Sequence, residues 1–147
     1  MPEGRRGGEQ REAVRSRAKG ICEYCQSQER FATQSFSVEH VLPRQAGGGE
    51  DPDNLAFACQ GCNNHKYIRT GAIDPVSGKT VPLFHPRHDR WNRHFIWSHD
   101  FTRVVGLTPE GRATVEALQL NRPGLINLRR ALFRCGEHPP EDSADPG

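Results

Sequence analysis

No stretch of the sequence is apolar over anything near the roughly 20 residues a helix needs to cross a bilayer. The N-terminus, MPEGRRGGEQ, lacks the apolar run of a secretory signal. Both absences predict a soluble, intracellular (cytoplasmic) protein with no membrane partner. Hydrophobic residues are also scarce, at 34% of the 147 against 26% charged. So polar a chain can build only a modest core, most simply in one domain. Domains of this kind lean on a staple, and bound metal is one of the few available. There is no internal repeat and no linker that requires a second domain. Acidic charge is short where basic charge gathers: the tail GEHPPEDSADPG after Cys135 holds four acidic residues and no Lys or Arg. Residues 1–135 are left with 20 basic and 14 acidic side chains, a net +6. A basic body suits a polyanion such as nucleic acid, although arginine-rich surfaces also serve solubility alone. The expected organisation is a flexible arm over 1–10, one domain over 11–135 and a disordered acidic tail over 136–147.

Four of the five cysteines stand in two pairs, Cys22-Glu-Tyr-Cys25 and Cys59-Gln-Gly-Cys62. Two such pairs read as a tetrathiolate zinc site, since each knuckle turn aims two sulfurs at one tetrahedral ion. The competing reading is a pair of redox or disulfide motifs. The doubled pattern, in a chain without a secretion signal, favours zinc. Gly20 and Gly61 suit the tight turns of the knuckles, and the ion would contribute on the order of 10 kcal/mol to folding. Cys135 lies outside the pattern.

Between the pairs lie 33 residues, more than the roughly 15 to 20 of a simple zinc ribbon. FATQSFSVEHVLP reads as a strand ending near His40, broken by Pro43 and the loop AGGGEDPDN, with NLAFA as a return strand. NNHKYIRT then opens a helix with Asn63 or Asn64 near its start. Cysteine thiols suit zinc, whereas the carboxylate and amide groups here suit magnesium or manganese. Two metals with different tasks are therefore expected.

The elements Glu39-His40, Asn54-Leu55 and Cys59-x-x-Cys62-Asn63-x-x-Lys66 resemble the HNH nuclease family over about residues 20–70. The resemblance implies an α+β fold: a ββα-metal, treble-clef-like core carrying a structural zinc on its four cysteines. In that reading His40 is the general base, Glu39 the acidic ligand of a catalytic Mg²⁺ or Mn²⁺ (many members have Asp there), and Asn54 the residue that holds the loop. Asn63 matches the last family position, with His65 as its competitor; positions two apart on a helix face away from each other, so only one should reach the ion. Arg44, Lys66 and Arg69 are candidate phosphate contacts. The implied reaction is hydrolysis of phosphodiester bonds in DNA, leaving 5′-phosphate and 3′-hydroxyl ends. One such site cuts one strand at a time, so double-strand cleavage would need a homodimer or sequential nicking. The alternative is a non-catalytic zinc module that binds nucleic acid or protein.

Beyond the core, an extension over about 80–135 is expected to hold a β-hairpin and two helices. RHFIW and TRVVGL flank an SHD turn, with Trp97 and Val105 as core candidates. Thr108, Pro109 and Glu110 read as a helix start. Leu125, Leu128 and Leu132 form the apolar stripe of the last helix, with Arg129 and Arg130 beside it. Arg87, Arg90, Arg93 and Trp91 are candidates for contact with nucleic-acid backbone or an unstacked base. His85, His88, His94 and His99 match no standard metal-ligand spacing.

Overall fold

The computed structural model describes residues 3–140, with side chains from residue 7 onward. Helix α1 (Glu3–Arg17) leads to the first cysteine pair. Strands β1 (Ser37–His40) and β2 (Leu55–Ala58) form an antiparallel hairpin in which Val38 faces Phe57 and His40 faces Leu55. Helix α2 (Gln60–Lys66) follows directly, with the Cys59 sulfur accepting from the Cys62 backbone N–H as its N-cap. Hairpin and helix make the ββα core, and the fold is α+β. The start of α2 at Gln60 puts Asn63 in its middle rather than at its N-terminus.

A second hairpin, β3 (Gly71–Ile73) with β4 (Thr80–Pro82), was not anticipated. Its turn is built by Asp74, which accepts from the backbone N–H groups of Val76 and Ser77, and by Gly78 at φ +74°. The third hairpin follows a short helix α3 (Trp91–His94) and joins β5 (Phe95–Trp97) to β6 (Val104–Gly106). Trp97 packs against the core as expected, but Val105 does not: it is 45% exposed, whereas Val104 is buried. Alternation along the strand admits one of the two, and Val105 pairs outward with the equally exposed Ile96. Helix α4 (Pro109–Ala117) starts at Thr108, whose hydroxyl accepts from Gly111 N–H. Helix α5 (Pro123–Arg134) buries Leu125 and half-buries Leu128 and Leu132.

One apolar cluster runs from Val14 through Tyr24, Phe57, Phe84 and Phe95 to Leu120 and Leu125, so the extension shares the core of the ββα unit. Two expectations at the chain ends change. The arm expected over 1–10 is helical from Glu3; Met1 and Pro2 lie outside the described residues. Val14 is buried and Arg11 and Arg15 pair with Glu29. That docked half supplies the costly nucleus, from which helix extends cheaply across Gly7 and Gly8. The tail expected from 136 begins packed: Glu137 pairs with Arg30, and buried His138 bonds the Phe101 carbonyl through Nε2 at 2.9 Å. Residues 141–147 lie outside the described residues.

Candidate functional site

The four thiols are brought together. Cys22 and Cys25 come from the turn after α1, Cys59 and Cys62 from the entry of α2, and all four sulfurs lie within 4.8 Å of one another. Cys25 Sγ and Cys59 Sγ are 3.6 Å apart. Four sulfurs each about 2.3 Å from one tetrahedral zinc would be spaced by about 3.8 Å, so the donor set fits that ion. All four are buried, as a closed structural site requires.

Two arginines from the far end of the chain complete this cluster, and nothing in the motif signals them. Arg122 points its guanidinium at Cys59 Sγ (3.3 Å) and Cys62 Sγ (3.7 Å). Burial opposes its charge, but the thiolates of Cys62, Cys25 and Cys59 outweigh burial and raise its pKa. Arg129, expected on an open face of α5, is buried and donates to the carbonyls of Thr102, Leu120 and Cys25. Four thiolates around a divalent ion keep a net negative charge, and these guanidinium groups offset it. Gly61 serves the same arrangement: its φ is not positive, and a Cβ there would sit 2.3 Å from the Arg122 guanidinium. It leaves room for Arg122 rather than shaping a turn.

The oxygen and imidazole groups meet at a second place on the ββα core. Strand β1 ends at His40, the chain bends through Val41 to Pro43, and Glu39, His40, Arg44, Asn63 and Tyr67 line one cleft of about 360 Å³. Glu39 forms its buried floor, 3% exposed, and His40 a more open wall. His65 is exposed on α2 and does not line this cleft. Asn54 fastens the loop above it: Oδ1 accepts from Leu42 N–H (2.8 Å), and Nδ2 donates to the carbonyls of Leu42 and Gly49 (3.0 Å each).

Glu39 is held from two directions. Tyr24 donates its hydroxyl to Oε2 at 2.7 Å. Burial and the nearby carboxylate both raise the Tyr24 pKa, so it stays a donor. Lys66 Nζ lies 2.5 Å from Oε1, yet its directed hydrogen bond goes to the Val41 carbonyl at 2.9 Å. Oε1 is thus buried with a cation beside it but no hydrogen-bond partner. The Glu39 carboxylate, ion-paired to Lys66 through Oε1, and the Asn63 amide line one cleft and are hard donors of the kind that Mg²⁺ or Mn²⁺ takes. Lys66 itself departs from expectation. It is 1% exposed, with Nζ turned inward to Glu39 and the Val41 carbonyl, and it cannot serve as a surface phosphate contact. Arg69 remains exposed.

Sequence reasoning also missed Glu50. His40 Nε2 lies 2.9 Å from Glu50 Oε1, which also accepts from Arg44 Nε at 2.9 Å, while Gln10 donates to Oε2 at 3.0 Å. His40 first, then Gln10 and Arg44, hold this carboxyl down to about 2. Among the other candidates, Arg87 forms a buried ion pair with Glu23. Trp91 is buried and donates Nε1–H to the Tyr24 carbonyl (2.9 Å), so neither is free for nucleic acid. Their neighbours Arg90 and Arg93 stay exposed. Buried His94 bridges Asp89 and Thr108, and His85 stacks on His88.

Residues 22–69, which carry both the sulfur cluster and the cleft, match the family model described as HNH endonuclease. Over those residues the core resembles an HNH domain. The four clustered cysteines fit the zinc-stapled subgroup of that family. The match stops short of the extension, and no curated protein and no solved structure matches the chain. An HNH core points to a nuclease-type function directed at nucleic acid. No helix among the described residues is long and apolar enough to cross a membrane.

Proposed function

We propose that the protein is a metal-dependent endonuclease that hydrolyses phosphodiester bonds in DNA, with His40 as general base. The observation that carries the reading is the convergence of Glu39, His40 and Asn63 on one cleft, although the strand's alternation would otherwise send Glu39 and His40 apart. His40 accepts a proton from water, whose oxygen attacks phosphorus in line with the departing 3′ oxygen. Glu39 and Asn63 would hold Mg²⁺ or Mn²⁺, which when bound neutralises charge on the phosphate and the leaving oxygen. Asn54 keeps the loop closed over the base, and exposed Arg44 and Arg69 supply positive charge for backbone phosphates. The products are 5′-phosphate and 3′-hydroxyl ends. Zinc on the four sulfurs folds the site and takes no part in the chemistry.

The test is nicking of supercoiled plasmid by the zinc-loaded chain with Mg²⁺ or Mn²⁺. His40→Ala should lower the rate by about 10²- to 10⁴-fold while the zinc content stays unchanged. Full activity in that variant removes His40 from the mechanism. One observation favours the second reading, a zinc module that binds without cutting: Lys66 already neutralises Glu39. That reading expects DNA binding and no cleavage with any divalent ion.

A further inference from the structure

We infer that Glu50 is the positioning residue of His40: its carboxylate fixes Nε2 as the protonated nitrogen and leaves Nδ1 as the atom that receives the proton of water. What Nδ1 does with that proton rests on the nuclease reading; the tautomer does not.

An ionised carboxylate only accepts hydrogen bonds. A neutral imidazole carries one N–H, and the bond made by one nitrogen decides the state of the other. With Glu50 Oε1 2.9 Å from Nε2, the proton sits on Nε2. Glu50 is well placed to impose this choice, because Arg44 and Gln10 also donate to it and keep it ionised. The backbone aims it as well. Gly47 takes φ +97°, and at Gly48 a Cβ would fall 1.7 Å from the Leu42 carbonyl oxygen, so no side chain is tolerated there. Asn54 grips the Gly49 carbonyl and both polar groups of Leu42. The loop's two ends are tied to one amide, and the next residue, Glu50, lies on the imidazole. Gly47 and Gly48 thus have a purpose that charge and turn chemistry left unexplained. In the step itself a water O–H bond breaks and Nδ1–H forms, the water oxygen bonds phosphorus, and the P–O3′ electron pair leaves on the 3′ oxygen. That oxygen takes a proton from solvent, and Glu50 faces the imidazolium until it returns its own.

The experiment is ¹⁵N NMR of the histidine rings in the zinc-loaded full chain, at a pH above the ordinary histidine value of about 6.5. The His40 signal is assigned by its loss in His40→Ala. Wild type should show the Nε2–H tautomer, and Glu50→Ala a mixture. In the Mg²⁺ nicking assay Glu50→Ala should lower kcat on the order of 10- to 100-fold, the loss typical when a functional histidine loses its partner, with KM within about twofold. Glu50→Met, which keeps most of the side-chain volume but has no oxygen to accept from Nε2–H, gives the same spectral change if the alanine variant melts early. An Nδ1–H wild type, a tautomer indifferent to both substitutions, or an unchanged kcat overturns the inference. A wild type that cuts nothing, yet shows Nε2–H lost in both variants, would sink the nuclease reading and leave the positioning by Glu50 standing.

Discussion

Helix α2 borders two sites whose ligand sets have opposite character. At one, four buried sulfurs lie within 4.8 Å of one another, with the guanidinium of Arg122 against two of them. At the other, Glu39, His40 and Asn63 border a cleft, and His40 shares Glu50 with exposed Arg44. The sulfur side is closed and charge-compensated from within, as suits an ion that never leaves. The cleft side keeps a partly exposed imidazole above the buried Glu39–Lys66 ion pair. A helix of seven residues serves both because its entry carries the thiols and its middle carries Asn63.

The contrast breaks first at the sulfurs. Stripping zinc with a chelator, or Cys62→Ser, should unfold the domain, since structural zinc contributes on the order of 10 kcal/mol. Far-ultraviolet circular dichroism and zinc release would then change together. The mirror experiment is His40→Ala, which should lower the unfolding free energy by only about 1 kcal/mol, the usual cost of a point substitution, while cleavage is lost. If the two substitutions destabilise alike, the division between holding and working is wrong.

Lys66 sharpens the comparison because it touches the floor of the working side from inside the core. Lys66→Met keeps the stem but strands the Glu39 carboxylate at 3% exposure. Removing one partner of a buried pair costs about 3–5 kcal/mol, so urea unfolding should show a loss of that size. Adding Glu39→Gln should recover part of it. A Lys66→Met variant as stable as wild type would mean that Glu39 finds its compensation elsewhere.

The doubled Cys-x-x-Cys spacing made the four sulfur ligands legible, and resemblance to the HNH family made the ββα core and the His40 neighbourhood so. What could not be read depends on distance or on depth. Arg122 meets Cys62 across 60 residues, and nothing local separates it from the other cations of the chain. Lys66 looked like a surface charge because a seven-residue helix does not announce which turn is covered. Glu50 sat in a polar turn where an acidic residue needs no explanation. The β3–β4 hairpin is a different case: Asp74, Pro75 and Gly78 are ordinary turn signals, and the segment was legible but unread.

The smallest expected effect concerns the wall of the cleft. Tyr67 ends α2 at φ +49°, ψ −117°, a conformation outside the left-handed helical region and natural only to glycine. Its side chain is 71% exposed, so little burial offsets the strain, which for such residues is on the order of 1–3 kcal/mol. Tyr67→Gly should therefore stabilise the domain by about 1 kcal/mol, raising Tm by a few degrees. Tyr67→Ala, which keeps a Cβ, should give no gain. The pair separates backbone strain from loss of the ring, since both variants lose the ring equally. If glycine alone stabilises while both slow plasmid nicking, the ring has a function at the cleft that the chain keeps at a cost in stability. If glycine brings no gain, the strain is absent and the wall owes its shape to α2 alone.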